Sequence, residues 1–137
     1  MQLEPYLFFD GKCEEALNFY KDVFGGEVEG LSRWSEMPKD APGPSVTPET
    51  ENRVMHANFQ SPGVSFMASD ASPGKTYGEG AISLSIGTSD AAEAERVFNQ
   101  LAAGGKVEMP MTDMFWGARF GMLTDKFGID WMINCRK

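Results

Sequence analysis

The sequence predicts an α+β fold built from two tandem βαβββ modules. Each half of the chain contains an alternating apolar strand, then an amphipathic helix that ends at a Gly-Gly pair, then further strand patterns. When the second half is laid over the first, Phe19 falls on Phe98. The same alignment places Gly25-Gly26 on Gly104-Gly105. A repeated module is the simplest account of this match, and chance similarity between two amphipathic helices is the alternative.

The first module begins with a strand at Tyr6–Phe9. A helix is predicted next, because apolar side chains recur on one stripe that stops at the glycine pair: Ala16, Leu17, Tyr20, Val23 and Phe24. A second strand follows from Val28 to Trp34. Residues 36–51 then form a long, proline-rich loop, and loops of this length in compact domains are commonly lids or arms.

A β-hairpin is predicted over residues 52–60 and 63–70, around Ser61-Pro62. A two-residue turn at that place would put His56 opposite Met67. Alternation along the strands then separates an apolar face, which should lie against the helix, from a mixed face. The mixed face carries mostly small or polar side chains and suits a cavity better than a core: Val54, His56, Asn58, Ser65, Met67 and Ser69.

The second module repeats the plan, beginning with a strand in which Ile82, Leu84 and Ile86 alternate with small residues. Its helix opens at Asp90, and Glu93 follows at the spacing of a capping box. A strand at Lys106–Met111 comes next. The last hairpin runs from about Trp116 to Cys135, with a turn near Asp125–Gly128, and a pairing that puts Arg119 opposite Asn134 would place both on the cavity side.

Length and composition indicate one soluble domain covering residues 1–137, with modules at about 1–72 and 78–137. The chain has 137 residues, of which 42% are hydrophobic and 23% are charged, as in ordinary globular proteins. Its formal net charge is −8, so it lacks the basic surface that nucleic-acid binding requires. A net acidic chain would attract cationic ligands at long range, although net charge does not describe a pocket.

The sequence shows no membrane-spanning run and no secretory leader pattern, which favours a cytoplasmic protein. Cys13 and Cys135 are far apart in sequence and form no CxxC motif. We therefore expect two free thiols and no cysteine-based metal or redox site.

Six short segments resemble one known family. They are Pro5–Gly11, Glu15–Tyr20, Met55-His56-Ala57, Met67–Asp70, Phe115-Trp116-Gly117 and Asp125–Gly128. Together they resemble the PhnB-like branch of the vicinal-oxygen-chelate superfamily, which includes glyoxalase I, extradiol dioxygenases, and fosfomycin- and bleomycin-resistance proteins. The resemblance implies a U-shaped, mixed or antiparallel sheet around a concave cavity, and a homodimer.

In that superfamily a His or Glu on each of four strands holds a catalytic metal. The matching positions here are Pro5, Met67, Ala81 and Met132. None of these residues is a ligand for Mg²⁺, Mn²⁺ or Zn²⁺, so we expect no metal and no cofactor. Members of the branch often carry a 3-demethylubiquinone 3-methyltransferase label, but no strand–Gly-rich-loop–helix unit for a methyl-donor nucleotide is visible in the sequence.

Three candidate side chains each have a functional and a structural interpretation. His56 is a proton shuttle or ligand partner, or else a half-buried histidine bonded to its neighbours. Arg119 binds an anionic group of a ligand, or pairs with Asp130 or Asp113. Trp116 lies at a pocket rim or in a loop of no functional consequence.

The predicted site is a pocket on the concave face that binds a small ligand, with an anionic group as an option. Its lining would be Leu7, Phe9, His56, Asn58, Met67, Ser83, Trp116, Arg119, Met132 and Asn134. A metal-independent binding protein is the first hypothesis. The alternatives are an enzyme acting on a small oxygen-rich substrate, such as a phosphonate or 2-oxo compound, with His56 as base, and a structural or regulatory dimer.

Overall fold

The computed structural model describes residues 1–40, 46–71 and 81–136. The chain divides into two compact units, Met1–Thr76 and Tyr77–Lys137. Each unit contains one four-stranded sheet and one α-helix of the same length. The predicted order of strand, helix and three further strands is confirmed in both units.

The first unit contains strands β1 (Tyr6–Phe9), β2 (Glu27–Arg33), β3 (Val54–Ser61) and β4 (Val64–Asp70), and helix α1 (Cys13–Phe24). A short 3-10 helix, Trp34–Glu36, follows β2. The strands lie in the order β1-β4-β3-β2. Because β1 runs parallel to β4 while the other pairs are antiparallel, the sheet is mixed.

Helix α1 covers one face of this sheet. The ring of Tyr20 meets Phe66 edge-on at 5.8 Å, and Phe24 meets Phe59 at 6.4 Å. Most of the predicted helix stripe is buried: Ala16, Leu17, Tyr20 and Val23. The apolar stripe of the helix and the alternating apolar residues of β3 and β4 therefore make one core.

The second unit contains β5 (Leu84–Thr88), α2 (Ala91–Ala102), β6 (Lys106–Asp113), β7 (Ala118–Thr124) and β8 (Asp130–Arg136). The sheet order is β5-β8-β7-β6, with β5 parallel to β8. A Cβ added at Gly121 in β7 would lie 2.7 Å from the Phe98 ring of α2. The helix therefore packs so closely on the sheet that a side chain at this position would displace the Phe98 ring and the Met111 sulfur.

The predicted register of the first hairpin is wrong by two residues. Asn58, not His56, pairs with Met67. The turn consists of Pro62-Gly63 rather than Ser61-Pro62, with Gly63 at a φ of 79°. Proline followed by a glycine with positive φ is the preferred sequence for a type II turn. Moving the turn by one position shifts the pairing by two, so His56, Asn58 and Met67 keep their predicted face, whereas Val54 of the predicted mixed face is buried.

The predicted register of the second hairpin is wrong by one residue, which has a larger consequence. Arg119 pairs with Cys135, and Phe120 takes the place opposite Asn134. The loop includes Ile129, because the Asp125 carboxylate accepts hydrogen bonds from the backbone N–H groups of Phe127 and Ile129. A shift of one residue moves every side chain of a strand to the other face of the sheet.

Residues 41–45 of the predicted long loop lie outside the described residues. Residues 72–80, which connect the two modules, lie outside them as well. Among the described helices, none is long and apolar enough to cross a membrane. Both cysteines are free and buried.

Candidate functional site

The face of the first sheet opposite α1 carries a mixed set of side chains, and we call it the helix-free face of that sheet. Register places Tyr6 beside Met67, Met67 beside Asn58, and Phe8 beside Ser69. Except for Ser69, which is itself buried, these residues alternate along their strands with buried core residues. His56 precedes Asn58 by two positions on β3 and shares its face.

An aromatic cluster stands on this face. The hydroxyl of Tyr6 is 3.1 Å from Nδ1 of His56, and the two rings are tilted at 5.7 Å. Phe8 stacks on Tyr6 with ring centroids 4.8 Å apart. Tyr6 is 36% exposed and Phe8 is 41% exposed, although both are large aromatic residues on a β-strand.

The hydrogen bond to Tyr6 fixes the position of the His56 ring. Either Tyr6 donates to an unprotonated Nδ1, or an Nδ1–H donates to the Tyr6 oxygen. The first arrangement leaves Nε2–H as a donor toward a ligand, and the second leaves Nε2 as an acceptor or, in the protonated ring, as a second donor. The ring of the predicted candidate His56 is thus oriented by Tyr6, a residue that the sequence analysis did not place in the site.

Strand β2 extends this face with two more polar residues. Ser32 pairs with His56, and Glu29 pairs with Asn58. Between them the register shifts at a β-bulge, where Gly30 has a φ of 62°. Glycine inside a strand pattern is a known signal for a bulge, so this irregularity could have been inferred from the sequence.

Two predicted lining residues, Leu7 and Phe9, do not reach this face. Leu7 is 8% exposed and Phe9 is 3% exposed, and Leu7 pairs with the core residue Ala68. Tyr6 and Phe8, at the alternating positions of β1, lie on the helix-free face instead of Leu7 and Phe9. The sequence Tyr-Leu-Phe-Phe is apolar throughout, so periodicity alone could not tell which side faces the core.

The second sheet also has a helix-free face, opposite α2. Phe120 and Met122 of β7 stand there beside Asn134 and Met132 of β8. Met132 in turn pairs with Ser85 of β5. The predicted residues Met132 and Asn134 therefore lie on the predicted side of their sheet, while Ser83 precedes β5 by one residue.

Arg119 lies on the opposite side, toward α2. Its Nε donates to Glu95 of α2 at 2.7 Å, and its Nη1 is 3.6 Å from Asp113. The hydrogen bond to Glu95 raises the pKa of the Arg119 guanidinium above its ordinary value. The prediction that Arg119 lies opposite Asn134 on the cavity side is wrong, and the expected alternative of a pair with Asp113 is present.

Trp116 lies in the turn between β6 and β7 and is 51% exposed. Its ring meets Phe115 at 5.0 Å and Phe120 at 6.0 Å. Phe120 belongs to the helix-free face, so Trp116 lies beside one end of that face. A role at the rim of a site stays a prediction.

The four positions that hold the metal in the vicinal-oxygen-chelate pattern offer no donor for a hard cation. Met67 and Met132 present thioethers, Pro5 precedes β1, and Ala81 precedes β5. Within residues 1–40, 46–71 and 81–136, no three His, Cys, Asp or Glu side chains are grouped so that they could hold a metal ion. The residues present do not fit the divalent metal of the superfamily.

Comparison with known proteins places this architecture in a family. The family model described as 3-demethylubiquinone-9 3-methyltransferase matches residues 1–134. The Escherichia coli K12 protein YjdN is 37% identical over all of this chain and 97% of its own length.

Solved structures agree with this match. Protein PA1353 from Pseudomonas aeruginosa has a TM-score of 0.83 and 40% identity, covering 99% of this chain and 98% of its own. The PhnB protein of Bacillus cereus has a TM-score of 0.78 and 32% identity, covering 98% and 99%.

A more distant likeness shows the fold alone. A glyoxylase/bleomycin resistance protein/dioxygenase domain from Frankia has a TM-score of 0.68 at 12% identity and covers 100% of this chain and 98% of its own. The two mixed sheets with one helix each are thus the glyoxalase/bleomycin-resistance fold, as predicted. The chain belongs to the PhnB-like family, whose family model is described as 3-demethylubiquinone-9 3-methyltransferase.

Proposed function

We propose that the protein binds a small organic molecule on the helix-free face of its first sheet, without a divalent metal. The observation that carries the proposal is the cluster of Tyr6, Phe8 and His56, in which two exposed aromatic rings lie next to a hydrogen-bonded histidine. Exposed aromatic side chains gathered on one face commonly mark a binding surface.

The composition of this face supports the proposal. Small-ligand sites combine apolar lining with a few polar groups that orient the ligand. Here Phe8 and Met67 supply apolar area, while His56 and Asn58 supply donors and acceptors. Met67 is half-buried and adaptable in shape.

An anionic ligand would need a binding residue other than Arg119, which was expected to bind its charged group. Because the Arg119 guanidinium is held by Glu95 and Asp113, a ligand carboxylate or phosphonate would have to displace them. On the first sheet the titratable donor is His56, and Glu29 beside Asn58 adds a negative charge. We therefore propose a ligand whose polar group is uncharged or only weakly acidic.

The family description names a methyl transfer, but neither of the two turns that lead into helices within residues 1–40, 46–71 and 81–136 suits a methyl-donor nucleotide. The turn between β1 and α1 consists of Asp10, Gly11 and Lys12, and α2 is preceded by Ser89 and Asp90. Neither turn has the repeated glycines that let a nucleotide approach a helix N-terminus. Binding is thus better supported than methyl transfer.

The test uses the fact that the chain has one histidine. A set of small aromatic and oxygen-rich compounds is screened by thermal shift, since a ligand of the native state raises the unfolding midpoint. For each compound that raises it, the imidazole proton signals of His56 are followed by NMR during titration. The proposal predicts that these signals shift in step with saturation.

Variants locate the ligand. Replacing His56 with Ala should weaken binding by about 1–3 kcal/mol, because a hydrogen bond to the ligand is lost. Phe115→Ala is the matched control, since Phe115 is 96% exposed and lies in the second unit. A compound that stabilises the protein equally in both variants and leaves the His56 signals unmoved would contradict the proposal.

A further inference from the structure

We propose that the helix-free face of the second sheet holds a site for one soft monovalent cation, Cu(I), formed by the thioether sulfurs of Met109, Met122 and Met132. Register places Met109 of β6 beside Met122 of β7, and Met122 beside Met132 of β8. The site lies on a different sheet from the proposed ligand site and does not depend on it.

The three methionines form one row across three adjacent strands. Residues directly opposite each other on neighbouring strands have their Cβ atoms about 5 Å apart. Both outer methionines therefore start within reach of the central Met122. Methionine has three rotatable bonds and no branch, so the outer sulfurs can turn inward toward an ion near the central one.

A β-bulge adjoins the row. The register between β6 and β7 shifts on both sides of Met109, and Pro110 follows it. Bulges bend an edge strand and redirect its side chains, and they are common beside functional sites. All three methionines are half-buried, so they are shielded on the sheet side and still reachable by a small ion.

The chemistry of the row selects the class of ion. Thioethers are neutral, soft ligands that favour Cu(I), whereas Mg²⁺, Ca²⁺ and Mn²⁺ require oxygen ligands. The acidic side chain nearest along β8 on this face is Asp130, to which the Thr124 hydroxyl donates, and Glu108, which precedes Met109 on β6, is paired with Lys106. The row is therefore unsuited to hard divalent cations, while the net charge of −8 favours the approach of a cation.

The two thiols are the competing soft ligands. Cys13 is fully buried in the first unit, and Cys135 is 3% exposed and lies on the α2 side of β8, opposite the face of Met132. A binding measurement alone would not separate thiol from thioether. The experiment therefore needs a signal from the methionine methyl groups themselves.

The probe is Ag(I), which has the coordination preferences of Cu(I) without its redox chemistry, titrated into protein labelled with ¹³C at the methionine methyl groups. The chain has nine methionines. The proposal predicts that the signals of Met109, Met122 and Met132 shift together and saturate at one ion per chain. Cu(I) under anaerobic conditions is then titrated against a chromophoric Cu(I) chelator to obtain the affinity.

Two variants decide the outcome. Met122→Leu keeps the size and apolar character of the central residue and should lower Cu(I) affinity at least about tenfold. Met55→Leu, at a half-buried methionine of the other sheet, should leave it unchanged. The proposal is overturned if the three signals do not move, if Met122→Leu binds as tightly as the parent, or if binding disappears only when Cys13 or Cys135 is replaced by Ala.

Discussion

Helices α1 and α2 occupy the same place in their units. In both, a carboxylate accepts a hydrogen bond from a backbone N–H of the first turn, but the two carboxylates come from different parts of the chain. In the second unit Asp90 is the N-cap, and its side chain accepts a hydrogen bond from the backbone N–H of Glu93. In the first unit the N-cap position is Lys12, which makes no such bond. There the acceptor is Asp70 at the end of β4, which is 57 residues from Cys13 in sequence and accepts from its N–H.

The second contact of Asp70 explains the consequence of this difference. Its other carboxylate oxygen accepts from the N–H of Val54, at the start of β3. Asp70 is 2% exposed, so it joins the helix, β3 and β4 inside the core. The start of α2 is a property of its own sequence, whereas the start of α1 exists only when the sheet has formed.

Replacing Asp70 with Ala should produce the largest loss of stability. The change leaves two buried backbone N–H groups without an acceptor, at about 1–3 kcal/mol each. We expect a decrease of about 2–6 kcal/mol in the free energy of unfolding, measured by urea denaturation. Asp70→Asn retains one acceptor oxygen and should lose less. Equal losses in the two variants would mean that the carboxylate charge, rather than its acceptor geometry, is what matters.

The stability of the protein at alkaline pH should also depend on the start of α1, through the thiol of its first residue, Cys13. Burial, and then the charges of Asp70 and Glu14, raise the pKa of the Cys13 thiol far above its ordinary value. Above about pH 8.5 the unfolded chain loses this proton while the native chain keeps it, so stability falls by up to about 1.4 kcal/mol per pH unit. Below that pH the contribution is fully present.

The measurement is urea denaturation at several pH values from neutral to about pH 10.5, which brackets the ordinary thiol pKa. Cys13→Ala should remove the part of the decline that comes from this thiol, whereas Cys135→Ala should retain it. Lysines and tyrosines titrate in parent and variant alike, so the difference between the two curves isolates Cys13. Parallel curves for parent and Cys13→Ala would refute the prediction.

The smallest effect is expected at Asp90, whose replacement by Ala removes a local cap and should cost about 1 kcal/mol. Asp90→Ser restores a capping oxygen and should recover most of that loss. The site is exposed, so water can satisfy the freed N–H of Glu93. A loss as large as that of Asp70→Ala would show that the two helix starts are energetically equivalent.

This contrast also shows which features can be predicted from the sequence. The cap at Asp90 is predictable, because its signal lies within four consecutive residues. The same holds for the helix stripes and for the end of α1 at Gly25, whereas α2 ends at Ala102, two residues before its glycine pair. The role of Asp70 is not predictable in this way, since nothing near it in sequence indicates a contact with Cys13.

The sequence predicts the sheet face of only some candidate residues correctly, for a reason that concerns strand register. His56, Asn58 and Met67 were assigned to the correct face because the error in the first hairpin was an even number of residues. Arg119 was assigned to the wrong face because the error in the second hairpin was a single residue, caused by the hydrogen bonds that Asp125 makes across its loop. Leu7 and Phe9 failed because a fully apolar strand has no periodicity to indicate its inner side.

The parallel pairing of β1 with β4 has a consequence for synthesis of the protein on the ribosome. Tyr6 pairs with Met67, so the strand that is made first in the unit must wait for the strand that is made last. Contacts between residues far apart in sequence slow folding, because the intervening chain must be ordered before they form. During this interval the apolar segment Tyr6–Phe9 has no partner strand and is open to association with other chains. The apolar side chains of β1 therefore stay without their partner strand until β4 has emerged.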